Sequence, residues 1–478
     1  MQTHWHETAC FYHIYPFGFC GAPELHGADT AQNRLSPLYE VTDHLVDLGV
    51  TAVYIGPVFE SAKHGYDTTS YTRIDPRLGS NEAFRDLVSH WHEHGIRVVL
   101  DGVFNHVGRD FEPFRDLQAN GESSAYRDWF KGIDFSQGSP LGDDFTYEAW
   151  EGHFELVTLN LSNSEVRTHI FDAVRWMLDW LGIDGIRLDV AYLLPKDFLA
   201  ELRRVVDDYT ASHNRDRCYL LGEVIHGNYN EFLGPELLDA VTNYECFKGL
   251  WSSLNDANYH EIAHSLGRQF GSEAGGQESA GPKNSSGPGS WGGISDGHFL
   301  YNFVENHDVD RAASVLKNPM HLYPLYGMLF TMPGSPSVYY GGEYGLRGSK
   351  DSGGDAELRP AWSDVISQVA GQPTPETVGL PDFIHELASI RERSAALCRG
   401  NMVPVCVEHE QMAWLRKTDS ESVLVAVNAS ADPVTLALSD IPGESLRPLL
   451  AQPANIPVEG GAASVPVPAF GTAVYEVR

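Results

Sequence analysis

The chain has 478 residues, room for more than one domain at ~100–200 residues each, although an α/β barrel alone can absorb ~250. Hydrophobic residues at 42% and charged residues at 21% give a globular balance that excludes a disordered chain. The formal charge of -32 at pH 7 argues against nucleic acid, an anionic membrane surface or an acidic substrate as main partner; a neutral ligand is compatible with it.

Apolar runs are too short for a membrane span. The start, MQTHWHETAC, has no positive segment followed by an apolar one, so a cytoplasmic chain is expected. The six cysteines, Cys10, Cys20, Cys218, Cys246, Cys398 and Cys406, form no CxxC pair and read as free thiols.

Short apolar runs alternate with helix-like stretches. The strand candidates are Phe11–Pro16, Val50–Pro57, Arg97–Val103, Gly185–Val190, Cys218–Val224, Leu238–Tyr244, Phe299–Glu305 and Ser337–Gly341. Their Val, Ile, Leu and Tyr content suits strands buried on both faces. Between them, Ser80–Gly95 has a capping start, a stripe of Phe84, Leu87, Val88 and Trp91, and a glycine stop. Ser162 and Glu165 form a capping box ahead of Val166–Leu181, and Pro381 and Gly400 bracket a further helix carrying Phe383, Leu387 and Ile390 on one face. Alternating strand and helix predicts a parallel sheet, and eight repeats predict an α/β fold of the (β/α)8 barrel kind.

Two stretches break the rhythm. Residues 104–163, after the third strand, carry many aromatics and acids and read as an inserted domain at the functional face. Residues 271–293 are rich in glycine, serine and proline and read as a mobile loop at the opposite face. Beyond residue 400, MVPVCVEHEQMAWLRK, SVLVAVNAS, VTLALS and TAVYEV read as short antiparallel strands. The expected organisation is a barrel over 1–103 and 164–400, the insertion 104–163, and a C-terminal β-sandwich over 401–478.

Barrel chemistry gathers where strands end. The third run ends Asp101-Gly-Val-Phe-Asn105-His106, the fourth reads Arg187-Leu-Asp189, the fifth ends Gly222-Glu223, and the seventh ends Glu305-Asn306-His307-Asp308. Residues i and i+2 share a strand face, so Arg187 and Asp189 point into one cavity. Asp189, Glu223 and Asp308, with Arg187, His106 and His307 around them, suit glycoside hydrolysis. A retaining enzyme needs a carboxylate nucleophile and a carboxylic acid ~5–5.5 Å away, the acid with a pKa raised by burial and neighbouring carboxylates. Arg187 is expected to keep Asp189 ionised and oriented. Each residue alone has a blander reading: a structural ion pair for Arg187 and Asp189, a helix cap for Glu223, a structural histidine for His106, a tie between barrel layers for Asp101. The functional reading rests on four strand ends carrying complementary groups.

The sequence resembles the α-amylase family of glycoside hydrolases, family 13, through DGVFNH (101–106), GIRLDVAYL (185–193), LLGEVIH (220–226) and FVENHD (303–308), in the family's order and spacing. HGYDTTSYTRIDPRLGS (64–80), TMPGSPSVYYGGEYGL (331–346) and ELRP (357–360) support it. The resemblance spans nearly the whole chain. It implies Asp189 as nucleophile, Glu223 as general acid/base and Asp308 as the carboxylate that binds sugar hydroxyls. Arg187, His106 and His307 match the supporting shell, Tyr66 the aromatic stacked on the cleaved glucose, and Asp67 and Arg359 a pair that closes the pocket in many relatives. If the last two meet, short substrates or exo cleavage follow; a structural salt bridge explains them equally well.

The stretches LVTLNLSNSEV (156–166) and GVFNHVGRDF (102–111) most resemble the neopullulanase and cyclomaltodextrinase group. Val190-Ala191-Tyr192 and Val224-Ile225-His226 depart from that group, as does the first barrel run beginning near residue 11, which leaves its extra N-terminal domain and dimer arrangement unimplied. Many amylases use an asparagine matching Asn105 for calcium, helped by a Lys-His pair absent here. The early loop GADTAQNRL (27–35) lacks a dense acidic pattern, so no catalytic metal or other cofactor is expected, and no structural calcium. The expected substrate is a maltodextrin or cyclodextrin. The alternatives are a transglycosylase or sugar isomerase on the same site, a non-catalytic binding protein, and a metal-dependent hydrolase built on His106 and His307. The last lacks an HxH or HExxH pattern.

Overall fold

In the computed structural model, residues 4–25, 33–270, 300–371, 374, 376–450 and 454–478 are described. Eight parallel strands make one sheet: β1 Phe11–Ile14, β2 Ala52–Ile55, β3 Arg97–Gly102, β4 Gly185–Leu188, β5 Tyr219–Gly222, β6 Ala240–Val241, β7 Tyr301–Phe303 and β8 Ser335–Tyr339. They are ordered β7-β8-β1-β2-β3-β4-β5-β6. The β6–β7 seam is joined by a parallel bridge between Thr242 and Tyr301, where Asn243 N–H donates to Tyr301 O at 2.9 Å. The sheet therefore curls into a barrel, as expected.

Strand alternation sorts the core. Phe11, Tyr54, Val99, Tyr219, Tyr301 and Phe303 pack on one another inside the barrel, while their neighbours Tyr12, Val53, Val98 and Leu220 join the cluster under the helices. With both faces buried, the strands read as continuous apolar runs. Helix Asn81–Glu93 starts where expected: Ser80 Oγ accepts from Ala83 N–H at 3.2 Å, and Phe84, Leu87, Val88 and Trp91 are buried.

Two helix readings need correction. Helix Ser164–Trp176 is capped by Asn163, whose Oδ1 accepts from Glu165 N–H at 2.8 Å; Ser162 does not cap it. The Glu165 carboxylate accepts from the Trp129 indole at 3.1 Å instead of folding back on the backbone. Asn and Ser cap equally well, so the tertiary contact decides. The helix then runs through one π-turn, Met177–Leu181, to Gly182 at φ 80°. The stretch from Pro381 to Gly400 divides into Leu380–Glu392 and Ala395–Arg399, because Ser394 Oγ caps Leu397 N–H at 3.1 Å and restarts the helix. The glycine-rich stretch 271–293, residues 27–32 of the early loop, and Phe299 of the seventh run lie outside the described residues.

Between β3 and β4 stand helix Glu112–Asn120 and a three-stranded antiparallel sheet, His106–Gly108, His153–Thr158 and Ala149–Trp150. Most of its aromatics make its own core: Phe111, Phe114, Phe130, Phe145 and Tyr147 are buried. Trp150 differs, with its ring 5.7 Å from that of His106.

The C-terminal region carries β9 Asn401–Val407, β10 Gln411–Lys417, β11 Ser422–Asn428, β12 Val434–Leu438, β13 Ser445–Pro448, β14 Ile456–Pro457, β15 Ala463–Val467 and β16 Gly471–Val477. A six-stranded sheet, β9-β10-β11-β16-β13-β14, faces the two-stranded sheet β12-β15. Ala413, Leu415, Leu424, Ala426 and Tyr475 pack toward the small sheet; the alternate residues Met412, Trp414, Val423, Val425 and Val474 pack toward the barrel. Helix Leu322–Thr331, buried all round, lies between barrel and sheet. Among the described residues no helix is long and apolar enough to cross a membrane.

Candidate active site

Register brings the strand-end groups together. Asp101 on β3 pairs across the ladder with Arg187 on β4, and Leu188 with Gly222 on β5, so the next residues, Asp189 and Glu223, emerge side by side. Gly222 is required there: a Cβ would meet Leu238 Cδ1 at 2.4 Å.

Arg187 is the hub. Its Nη1 donates to Asp101 Oδ1 and Asp189 Oδ1, each at 2.8 Å, and its Nη2 lies 3.1 Å from Glu223 Oε1. Glu223 Oε2 accepts from Val190 N–H at 2.9 Å. Asp101 Oδ2 also accepts from Tyr54 OH at 2.8 Å and Tyr66 OH at 3.2 Å. Asp101 thus ties β2 to β4 and anchors the site arginine.

His106 Nε2 stands 3.9 Å from Asp189 Oδ2 and has no hydrogen-bond partner, although it is buried. Asn105 Nδ2 meets His106 Nδ1 at 3.3 Å, and His106 Nε2 faces the cavity. Tyr66 stacks on His307 with ring planes 9° apart, and its hydroxyl bonds His307 Nε2. Asp308 is held from two sides, by His307 Nε2 at 2.9 Å and Arg359 Nη2 at 2.9 Å.

The electrostatics follow from burial. It lifts the Asp189 carboxyl well above its ordinary range; Arg187 opposes the lift, and Glu223 and Asp101 reinforce it. Arg187 thus orients Asp189, as expected, but does not by itself keep it ionised: desolvation and two nearby carboxylates outweigh one guanidinium. Burial also pushes Asp308 up, but His307 and Arg359 overcome it and hold that carboxyl far below the usual range. Burial pulls the His106 imidazole down to about 3, so it is neutral at pH 7.

Asp67 and Arg359 do not pair. Asp67 accepts from Lys63 N–H at 2.9 Å and His64 N–H at 3.2 Å, turning its own loop, while Arg359 takes Asp308 and, at 3.0 Å, Asp355. The loop of Asp67 is fixed against the insertion, where a Cβ on Gly108 would meet Asp67 O at 2.4 Å. The expected pocket closure by this pair thus lacks its contact, and the exo reading loses its support. Glu305, also at a strand end, turns away to Arg311 at 3.2 Å.

Sequence reading missed Tyr54, whose inward strand parity marks it, and Tyr15, whose ring lies 4.5 Å from the Arg359 guanidinium. It also missed the Val190 N–H, which leaves no side-chain signal. No group of three or more His, Cys, Asp or Glu among the described residues could hold a metal ion.

A parallel barrel with paired carboxylates at its C-terminal mouth defines the glycosidase class. The sequence matches the alpha amylase catalytic domain over residues 29–372 and the maltogenic amylase C-terminal domain over residues 405–474. A cyclomaltodextrinase from Bacillus sp is 32% identical over 448 residues, 89% of this chain and 73% of its own. Neopullulanase 2 from Thermoactinomyces vulgaris is 30% identical over 455 residues, 91% and 71% of the two chains. The solved cyclic alpha-maltosyl-(1→6)-maltose hydrolase from Arthrobacter globiformis covers 100% of both chains with a TM-score of 0.77 at 26% identity. The chain belongs to the α-amylase family of glycoside hydrolases.

Proposed function

We propose that the protein is a retaining hydrolase of α-1,4 glucosidic bonds, with α-1,6 bonds as a second target, in maltodextrins or cyclodextrins. One observation carries the reading: Asp189 and Glu223 are gripped by the two terminal nitrogens of the same arginine. That spacing suits a nucleophile and an acid acting on one glycosidic bond. The names of the relatives point to cyclic and branched glucose oligosaccharides.

The roles follow from the contacts. Glu223 protonates the glycosidic oxygen while an Asp189 oxygen bonds to the anomeric carbon and the aglycone leaves. Glu223, now a carboxylate, takes a proton from water, and that water displaces Asp189. The lifted Asp189 must give up its proton before it attacks, and Arg187 at 2.8 Å stabilises the carboxylate so formed. Asp308, kept ionised by His307 and Arg359, accepts from sugar hydroxyls; His106 Nε2, without a partner in the protein, bonds one of them. The structure's free cysteines suit the reducing cytoplasm.

The test is a chromatographic time course on maltoheptaose, β-cyclodextrin, pullulan and sucrose with an Asp189→Ala control. Short glucose oligomers, absent in the control, are expected. Longer or rearranged products would replace the hydrolase reading by the transferase or isomerase, and an active control would remove Asp189 from its role.

A further inference from the structure

Glu305 follows the end of β7, and its side chain is buried against that of Arg311. Its Oε1 accepts from Arg311 Nη1 at 3.2 Å and its Oε2 from Ala312 N–H at 2.5 Å. The carboxylate therefore closes residues 305–312 into a loop, and His307 and Asp308 stand on that loop. Within it, Asn306 Oδ1 accepts from Asp308 N–H at 2.8 Å and from Val309 N–H at 3.1 Å, which fixes the turn.

Arg311 joins this loop to a second one. Its Nη1 donates to Tyr340 O and its Nη2 to Leu358 O, each at 2.7 Å, and its guanidinium lies 4.1 Å from the Tyr339 ring centre. Tyr339 OH also donates to Leu358 O at 3.0 Å, and Tyr340 OH to Pro360 O at 2.8 Å. The backbone on both sides of Arg359 is thus held by Arg311 and by residues at the end of β8. On a third side, a Cβ on Gly18 would meet Arg359 O at 2.0 Å, so that backbone lies hard against the segment after β1. From this seat the Arg359 side chain donates to His307 O at 3.0 Å and to Asp308 Oδ1 at 2.9 Å. The contacts close a ring that runs from Glu305 through Arg311, Leu358 and Arg359 to Asp308, and back along the chain to Glu305.

Glu305 is 2% exposed and Arg311 0%, so neither can touch a substrate. An ion pair buried so completely has a desolvation cost that its attraction only roughly offsets, which makes stability alone a weak reason for it. We propose that Glu305 and Arg311 are positioning residues for Asp308: the pair sets the separation of the two loops at which His307 and Arg359 grip that carboxylate and aim it at the hydroxyls of the cleaved sugar. The inference rests on the glycoside-hydrolase reading above and extends it to two residues that act only through others. Displacing a reacting or stabilising group by ~1 Å can cost ~10²-fold in rate, so such a brace has a measurable effect.

The test is a double-mutant cycle on the full chain. Turnover of α-maltosyl fluoride, whose activated leaving group keeps weak variants measurable, is followed for wild type, Arg311→Met, Glu305→Gln, Asp308→Asn and the two combinations with Asp308→Asn. Arg311→Met should lose ~10–100-fold in kcat/KM when Asp308 is present and almost nothing further in the Asp308→Asn background. Glu305→Gln keeps the side-chain shape and one acceptor, so it should lose less, with the same dependence on Asp308. A role confined to folding lowers the fraction of active protein, and that loss multiplies alike into both backgrounds. Equal fold-losses in the two backgrounds, or no loss in either, would therefore overturn the positioning role and leave the hydrolase standing. Should Arg311→Met not fold, the Glu305→Gln comparison decides by the same rule. Wild-type protein that cleaves neither α-maltosyl fluoride nor maltoheptaose would overturn the hydrolase reading and this inference with it.

Discussion

Val190, directly after Asp189, sits in the left-handed region at φ 42° and ψ 44°, where a β-branched residue is a true outlier. That backbone turn aims its N–H at Glu223 Oε2. The strain costs about 1–2 kcal/mol for a residue other than glycine. Val190→Ala keeps the strain and loses the side chain; Val190→Gly loses both. Gly should therefore be the more stable of the two, by about 1 kcal/mol after its extra chain entropy is subtracted. Urea unfolding checks it, and an alanine variant equal to or better than glycine would remove the strain argument. Glu223→Gln should lower kcat ~10²–10⁴-fold on maltodextrins, the usual worth of a general acid; steady-state kinetics with an activated aryl maltoside should show a smaller loss. The lifted Asp189 holds its proton above the ordinary carboxylate range, and activity rises on the acid side as that proton leaves. Asp101 is one of the charges that lifts it, so Asp101→Asn should move the acid limb of the kcat/KM profile to lower pH. A shift to higher pH would contradict the assignment.

At the scale of one element, the start of helix Ser164–Trp176 shows tertiary contact overriding a local motif. Asn163 supplies the cap and Glu165 is drawn off to Trp129. Asn163→Ala should cost ~1 kcal/mol, whereas Ser162→Ala, on an exposed residue outside the cap, should cost almost nothing. Thermal melts of the two variants separate these outcomes; equal losses would restore the Ser162 box.

Across the whole molecule, one fully buried arginine, Arg416, joins the barrel to the C-terminal sheet, and a second, Arg391, ties barrel-side elements beside that seam. Arg416 on β10 donates to Thr331 O at 2.6 Å and Gly400 O at 2.9 Å, and Arg391 to Gly334 O at 2.6 Å and Leu397 O at 2.9 Å. The acceptors among these are backbone carbonyls, one of them at the end of helix Leu322–Thr331, whose dipole favours a cation. Arg416→Met leaves buried carbonyls unpaired and should cost about 3 kcal/mol in calorimetry. Acid should weaken the fold as well. Burial pulls His6 down to about 4 and His106 to about 3, so the unfolded chain takes up these protons below pH ~6.5 while the folded one does not. Stability present above pH ~6.5 is then lost as pH falls, by ~2 kcal/mol per histidine at pH 5. His6→Phe should flatten the Tm profile between those values; an unchanged slope would show that His6 does not contribute.

The eight strands were legible because each is buried on both faces, which forces an uninterrupted apolar run, and the site groups were legible because charge at a barrel strand end is costly without a purpose. Those properties are local, so sequence carries them. What the tertiary structure alone decided concerns partners distant in the chain. Arg187 is shared among Asp101, Asp189 and Glu223, Arg359 turns to Asp308 rather than Asp67, and the insertion's aromatics divide between its own core and Trp150 beside His106. The proton balance of Asp189 belongs there too, because desolvation depends on everything packed around the carboxyl, and one neighbouring arginine in the sequence cannot report it.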